Sequence, residues 1–499
     1  MAKDMEINSA QWVHFIAVGG KGMGALAVLM SELGYMVTGS DGVLYPPMDV
    51  YLEKSLVKVS NEYSKDNLLG QTWGLSKKHP DIVIVGNAIS RGHVEAEVAA
   101  VLDDEKKIRR MSFSEALAEF AIAENKSFVV TGTHGKSTTS SMLAWAFERL
   151  NLTPGFFIGA IPNNFDTCCR QSGEGQVFVS EGDEYDTVYW DKVSKFLYYK
   201  PDWVICTGVE FDHADIFKDL AAIEDSFLEL VKKTKDGWVL VEDESAPEPK
   251  VTASLSEAVK KKGLPCLRYG FSDRSDFYVS KWHAKTLSSD GHKVGTSFIV
   301  EYKGCSKSFY SSMIGKHNVL NALSAIAVIV AAGKANFSDL DSNLFADYSG
   351  IAKRQQELFY SEQSVLVDDF AHHPRAIFET LNALKLRYPG RFVRAFFEPR
   401  SATSARNLLF DSFVKCFDPA DEVYLIEATK KNVPMDQRLN VVELKRQIEA
   451  HGPKVFLAKD YGELVGLFET RNQSEEELIV LMSNGSFGGI AEKLLEQLS

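Results

Sequence analysis

The chain has 499 residues, 45% of them hydrophobic and 25% charged, with a formal net charge of -13. At roughly 150 residues per domain that length suggests about three domains, and this balance of apolar and charged residues excludes a wholly disordered chain. The acidity argues against a nucleic-acid sleeve, which needs a basic face, but leaves room for a nucleotide held by backbone amides and a few cations.

Met1–Asn8 lacks the apolar region of a signal peptide, and no run of about 18 apolar residues follows, so a cytoplasmic protein without a membrane span is expected. Val13–Val18 reads as a strand, Gly19–Gly24 as a glycine turn, Ala25–Leu33 as a helix stopped by Gly34, and Met36–Gly39 as a second strand ending at Ser40 and Asp41. Asp81–Val85 is a further strand, ending at Gly86-Asn87-Ala88. Ser112–Ile122 reads as a helix, with Ser112 as N-cap and Glu115 closing a capping box. The first domain boundary is placed near Met111, giving domains 1–111, 112–348 and 349–499.

The second domain opens with the strand Ser127–Val130, which runs through Thr131–Thr138 into a helix reaching about Leu150. Later strands end at Glu181 and Thr207. The charged stretch Asp243–Ser312 reads as short strands and loops, and Val319–Ala332 as an aliphatic helix closed by Gly333. In the third domain, Ser364–Asp368, Phe392–Phe397 and Leu478–Met482 read as strands, and Arg471–Glu477 as a polar surface loop. This alternation predicts an α/β protein with mostly parallel sheets. The six cysteines, at 168, 169, 206, 266, 305 and 416, form no CxxC pair; they suit a reducing compartment and give no structural zinc site.

Chemistry concentrates where predicted strands end. Thr131–Thr138 has the strand–glycine turn–helix setting of a phosphate loop. Gly132 and Gly135 let the backbone curl so that its amides face phosphates, Lys136 supplies a mobile positive charge, and the Ser137 hydroxyl suits Mg²⁺. The loop is shorter than the common GxxxxGK[ST] form, and an ordinary glycine turn is the alternative. Two acidic runs, Glu181–Asp186 and Glu210–Asp215, follow strands and so fall on the ligand-binding edge of an open sheet, where carboxylates can hold Mg²⁺; His213 could help hold a second metal. Either run taken singly is more often a solvated loop.

The Gly19–Gly24 turn with Asp41 resembles a dinucleotide fingerprint, so an NAD-dependent oxidoreductase is one reading. The separate nucleotide loop in the next domain favours a diphosphate-bearing substrate here instead. Asp368–Pro374 and Glu398–Ser401 sit at strand ends of the third domain, where ion pairing and turn formation are the rival explanation. Lys353 and Arg354 precede that domain.

Taken in order, Thr131–Thr139, Glu181–Asp186, Glu210–Asp215, Gly315–Asn321 and Asp368–Pro374 resemble the motifs of the Mur ligases, and the likeness runs from the Gly19 turn to the C-terminus. The resemblance implies an N-terminal Rossmann-like UDP-binding domain, a central P-loop ATPase and a C-terminal Rossmann-like domain. It also implies an ATP-dependent amide ligase that acts through an acyl phosphate with Mg²⁺, in cell-wall peptidoglycan synthesis or recycling. Two amine substrates are open: L-alanine, or the tripeptide L-alanyl-γ-D-glutamyl-meso-diaminopimelate, each joined to UDP-N-acetylmuramate. Gly39–Asp41 followed by Tyr45–Met48, Gly86–Ala88 followed by Arg91-Gly92, Ser194–Phe196, Phe397–Ser401 and Ser483–Ile490 resemble the tripeptide-adding members. The longer basic signature of the alanine-adding members is absent at Phe397, while Ser137 replaces a more usual Thr and Ser486 a more usual Gly.

The resemblance also implies roles. Gly20, Gly22, Met23, Gly24, Ser40 and Asp41 would hold the UDP part, with Asn87, His134 and Glu184 on the substrate. Gly132, Thr133, His134, Gly135, Lys136, Ser137 and Thr138 would bind ATP phosphates, with His317, Asn318, Asn321 and Arg354 around the nucleotide. Ser137, Glu181 and His213 would hold metal, and Lys136, Glu181, His213, Asp369, His372 and Arg400 would carry the chemistry.

Overall fold

Short apolar runs separated by glycine turns and amphipathic helices build, among the described residues, three sheets and a small hairpin. The computed structural model describes residues 11–44, 48–173, 175–212, 216–242, 245–286, 294–427, 433–472 and 475–498. They form two compact units. The first takes in the described residues up to Gly132 with Thr139–Val209 and Ile223–Leu267; the second takes in Thr133–Thr138, Glu210–Ala222 and Arg268 onward.

In the first unit, β1 (Trp12–Ile16), β2 (Met36–Ser40), β3 (Lys58–Ser60), β4 (Ile82–Val85) and β5 (Arg109–Ser112) form a parallel sheet in the order β3-β2-β1-β4-β5. β1 and β4 are buried along their whole length, as strands covered on both faces must be. The order reverses between β1 and β4, which makes the crevice beyond their carboxyl ends a topological switch point. Two turns meet there closely. A Cβ on Gly86, after β4, would lie 3.0 Å from the Ala17 Cβ and the Ile16 carbonyl oxygen.

The same unit holds β6 (Lys126–Thr131), β7 (Gly155–Phe157), β8 (Cys169–Arg170) and β9 (Val177–Glu181), the hairpin β10 (Asp186–Val188) and β11 (Asp191–Ser194), and then β12 (Trp203–Cys206) and β13 (Gly237–Val241). β6 lies between β9 and β12, parallel to both. Val130 pairs with Glu181 and Thr131 with Cys206, so the carboxyl ends of these three strands share one edge. Ser112 caps its helix with the predicted box, and the helical segment runs on to Ile122, its last part, Ala118–Ile122, being a π-turn. One prediction fails here. The stretch after Asp243 contains the helix Pro249–Lys261, which starts on a proline at its first turn and buries Val251, Leu255 and Val259 at i, i+4 and i+8.

The strand β14 (Cys266–Gly270) leads into the second unit, where Tyr269 and Gly270 pair with β15 (Phe277–Thr286). β15 continues antiparallel through β16 (Val294–Tyr302) to β17 (Cys305–Ser311). Beyond the buried helix Lys316–Ala331 come β18 (Gln356–Tyr360), β19 (Ser364–Asp369), β20 (Phe392–Phe397), β21 (Glu422–Ile426), β22 (Lys454–Ala458) and β23 (Glu477–Met482). These form a sheet in the order β18-β19-β23-β20-β21-β22, parallel except for β18.

Successive residues of that sheet feed opposite cores: Val365, Val367, Ala395, Phe397 and Val480 on one face, Leu366, Phe396, Tyr424 and Ile479 on the other. Arg394 interrupts the pattern. It is fully buried, donating to Glu477 at 2.9 Å and Glu422 at 3.1 Å. Glu477 also pairs with Arg471 at 3.0 Å, and these two side chains are 2% and 6% exposed. The predicted surface loop Arg471–Glu477 is therefore anchored inward at both ends, because a buried arginine needs carboxylates brought to it.

Candidate active site

The loop after β6 has the backbone that its glycines predict. Gly132 has φ +122° and Gly135 φ +80°. A Cβ on Gly132 would lie 2.7 Å from the Gly208 carbonyl oxygen, and one on Gly135 2.8 Å from Asn321 Oδ1, so neither position has room for a side chain. The Thr133 hydroxyl donates to the Glu210 carbonyl at 3.0 Å and accepts the Glu210 amide at 2.9 Å, fastening the loop to the segment after β12. Lys136 opens the helix Lys136–Arg149 and its ammonium reaches the Thr133 carbonyl at 3.3 Å, curled over the loop. Thr138 is buried in the first turn.

Around this loop, within the second unit, stand paired imidazoles and carboxylates. His134 Nε2 lies 2.6 Å from Glu210 Oε1, and His373 Nδ1 lies 3.6 Å from the same oxygen. Burial pushes the Glu210 carboxyl up, but the adjacent His134, by charge and by hydrogen bonding, together with Arg375 and, in acid, His373, outweighs it and holds the group down at about 2. His372 Nδ1 donates to the Phe370 carbonyl at 3.0 Å, which leaves Nε2 as the acceptor nitrogen, 3.9 Å from Asp212 Oδ2. Burial pushes both His372 and His373 down to about 4, so both are neutral at pH 7.

The other predicted nucleotide residues sit nearby in the chain's fold. Asn318 and Asn321 are buried on the helix Lys316–Ala331 and hydrogen-bond each other at 3.2 Å. His317 approaches Gln355 at 3.4 Å and Glu379 at 3.8 Å. The Arg354 guanidinium lies over the Phe370 ring, 4.7 Å from its centroid.

Asp369 ends β19 and is 3% exposed. Its two oxygens accept the amides of Gln355 and Ala371, each at 2.8 Å, which anchors the segments on both sides. Arg400 is exposed and packs on Gly485, where an added Cβ would lie 2.8 Å from its Cζ. Lys353 donates to the Gly485 carbonyl at 2.7 Å, and Glu398 accepts from the hydroxyls of Tyr461 and Ser483. Phe397 and Asp369 both pair with Met482, so these residues share one sheet edge.

In the first unit, Glu181 accepts the Gly159 amide at 2.7 Å, and Glu184 is buried. The turn after β1 is held by Asp41, whose Oδ2 accepts the Gly19 amide at 2.6 Å and whose Oδ1 accepts the Gly42 amide at 2.7 Å and the Tyr63 hydroxyl at 3.0 Å. Ser40 is fully buried and gives its hydroxyl to Glu95, in a network with His14 and Thr38. Gly20 caps the helix Lys21–Glu32. A Cβ on Gly22 would meet Phe157 at 3.1 Å, and one on Gly24 would meet the Val18 carbonyl at 3.0 Å. Met23 is buried beside them and Asn87 is exposed at the turn after β4. His213 and Tyr45–Pro47 lie outside the described residues. Glu210 and His373 were not singled out from the sequence, although both lie inside motifs that were.

Comparison with known proteins accounts for this layout. Residues 12–125 match the family described as "Mur ligase family, catalytic domain", 130–329 "Mur ligase middle domain" and 354–485 "Mur ligase, glutamate ligase domain". The UDP-N-acetylmuramate–L-alanyl-γ-D-glutamyl-meso-2,6-diaminoheptandioate ligase of Escherichia coli is 35% identical over 495 residues, 98% of each chain. A UDP-N-acetylmuramate–L-alanine ligase of Streptococcus pyogenes is 31% identical over 421 residues, 83% of each. Among solved structures, a murein peptide ligase from Psychrobacter arcticus matches with a TM-score of 0.65 and 30% identity, over 98% of this chain and 99% of that one. No described helix is long and apolar enough to cross a membrane. With its phosphate loop, its parallel sheets and full-length relatives, this chain belongs to the Mur ligase family of ATP-dependent ligases.

Proposed function

We propose that the protein joins the carboxylate of UDP-N-acetylmuramate to the amine of L-alanyl-γ-D-glutamyl-meso-diaminopimelate, using ATP, as a step of peptidoglycan recycling in the cytoplasm. The observation that carries the reading is the full-length likeness to a ligase named for those two substrates. The shorter coverage of the alanine ligase, 83% against 98%, favours the tripeptide over L-alanine.

The reading divides the chain into an N-terminal sugar-nucleotide domain (1–111), a central ATP domain (112–348) and a C-terminal amine domain (349–499). The Gly20–Gly24 turn and Asn87 lie at the switch point of the first sheet, suited to a diphosphate. Ser40 and Asp41 shape that turn through Glu95 and the Gly19 amide, and so support the nucleotide indirectly. Thr133–Thr138 would cradle the ATP phosphates, with His317, Asn318, Asn321 and Arg354 around the nucleoside.

Mg²⁺ takes hard oxygen donors, and the Ser137 hydroxyl and Glu181 carboxylate are of that kind. When bound, it neutralises phosphate charge. Lys136 acts to the same end, since a muramyl carboxylate and a γ-phosphate are both anions and repel. The carboxylate oxygen attacks the γ-phosphorus, ADP leaves with the bridging oxygen and an acyl phosphate forms; the peptide amine then adds to the acyl carbon, gives up a proton and expels inorganic phosphate. His372 presents an unprotonated Nε2 to accept the amine's proton. Arg400, exposed beside the Ser483–Gly489 turn, offers a cation to a peptide carboxylate. Asp369 keeps Arg354 and His372 in place through the amides beside them.

The test is product formation with purified protein, followed by mass and by phosphate release. UDP-N-acetylmuramate, tripeptide and Mg-ATP together should give one phosphate per amide formed. Amide formation without ATP, or phosphate release independent of both substrates, would overturn the proposal.

A further inference from the structure

Three segments far apart in the chain bring one ligand atom each to a common point. His134 comes from the phosphate loop, Glu210 from the segment after β12, and His373 from the segment between β19 and the helix Pro374–Arg387. Their ligand atoms lie within 4.8 Å of one another. We propose that His134, Glu210 and His373 form a binding site for a Zn²⁺-class divalent cation, separate from the hard-oxygen donors suited to Mg²⁺, and that its occupancy clamps the phosphate loop and stops turnover.

The donor set decides the class of ion. Two imidazoles and one carboxylate are the ligands of open zinc sites, where the fourth position goes to water, while Mg²⁺ prefers oxygen alone. Geometry agrees. Bonds of about 2.0–2.1 Å in a tetrahedral site put ligand atoms roughly 3.3 Å apart. His373 Nδ1 and Glu210 Oε1, at 3.6 Å, are already near that spacing, and the 2.6 Å contact of His134 with Glu210 must open by less than about 1 Å.

The site is also prepared electrically. Glu210 and His373 have side chains only 14% and 8% exposed, and neither Glu210 Oε1 nor His373 Nδ1 has a hydrogen bond among the described residues, although both face neighbours at ion-pair distance. A cation entering there replaces the close His134–Glu210 contact with bonds to both. The tilted His134 and His373 rings, 4.6 Å apart, hold the imidazoles together. Clamping follows from position. His134 is two residues before Lys136, and Thr133 is already tied to the Glu210 backbone. A bound ion would add a third tie, to His373, across a loop that must adapt to its nucleotide.

The test uses the full chain, stripped of metal, with Mg²⁺ in excess and Co²⁺ as the coloured probe. One equivalent of Co²⁺ should bind with the visible bands of a tetrahedral site and be displaced by Zn²⁺. His373→Gln and Glu210→Gln should each weaken binding at least tenfold, with circular dichroism and thermal melting reporting whether each variant is folded. Zn²⁺ should inhibit the wild type over the concentration range in which it displaces Co²⁺, whereas the turnover that remains in His373→Gln, whatever its size, should not respond to Zn²⁺ over that range. Absence of stoichiometric Co²⁺ binding with Mg²⁺ present, or equal affinity in folded His373→Gln, would overturn the site. Tight binding without inhibition would overturn the clamp. The spectra need no substrate, so they stand or fall apart from the ligase assignment.

Discussion

Replacing Gly132 by alanine is the sharpest probe of the phosphate loop. At φ +122° an alanine pays strain on the order of 1–3 kcal/mol. Its Cβ would also crowd Thr207 Oγ1, the Gly208 carbonyl oxygen at 2.7 Å and the Thr207 amide nitrogen at 3.0 Å, two of them backbone atoms that cannot swing aside. Overpacking of that kind costs about 1–3 kcal/mol more. The loop relieves both by leaving its cradle shape, so nucleotide affinity bears the cost. A loss of about 3 kcal/mol is more than a hundredfold in affinity. Titration calorimetry with a non-hydrolysable ATP analogue and Mg²⁺ reads this directly. Gly333→Ala is the control: its φ is +64° with nothing within 4 Å of the new Cβ, so it bears the strain alone, at the end of a helix. It should change nucleotide affinity less than about threefold. Wild-type affinity in a folded Gly132→Ala protein would refute the reasoning.

Lys136→Ala should lower ATP-dependent turnover by about 10²–10³, the usual loss for one preorganised charge on a developing anion, and near-wild-type rates would remove Lys136 from the phosphate site. Arg394→Met should destabilise the C-terminal sheet by about 3 kcal/mol in urea unfolding, the low end for a broken buried pair, because Glu422 loses its guanidinium partner and Glu477 keeps only Arg471; a loss below about 1 kcal/mol would contradict the network. Acid stability follows from His372 and His373. Both are held down at about 4 when folded and protonate near 6.5 when unfolded, so unfolding takes up protons and stability falls as pH drops from about 6.5 to 4. His373→Gln should flatten that fall, and an unchanged slope would show that its imidazole is not held neutral.

What the sequence made legible were features whose chemistry is local. The phosphate loop is one contiguous run, so its glycines, lysine and hydroxyl could be read together, and the capping box at Ser112 spans only four residues. The parallel sheets followed from alternation of strands and helices. Features that depend on distant partners were hidden. Glu210 and His373 are single letters in two motifs, and only folding brings them within 3.6 Å. Arg394 sits in a strand that reads as apolar, and nothing local announces that Glu477, 83 residues on, will meet it. Asp41 suggested a ligand contact because it follows a strand, and the resemblance implied Ser40; what the sequence did not show is that their side chains also engage the Gly19 amide and Glu95. The helix Pro249–Lys261 was obscured by charge and polarity, since the buried residues beside its stripe of Val251, Leu255 and Val259 are Thr252 and Ser256.

The central claim concerns which amine is joined. A single reaction holding Mg-ATP, UDP-N-acetylmuramate and equal concentrations of L-alanine and the tripeptide, stopped early and resolved by mass, measures the ratio of the two specificity constants. The account predicts that the tripeptide adduct dominates. A product pool dominated by the alanine adduct would contradict it.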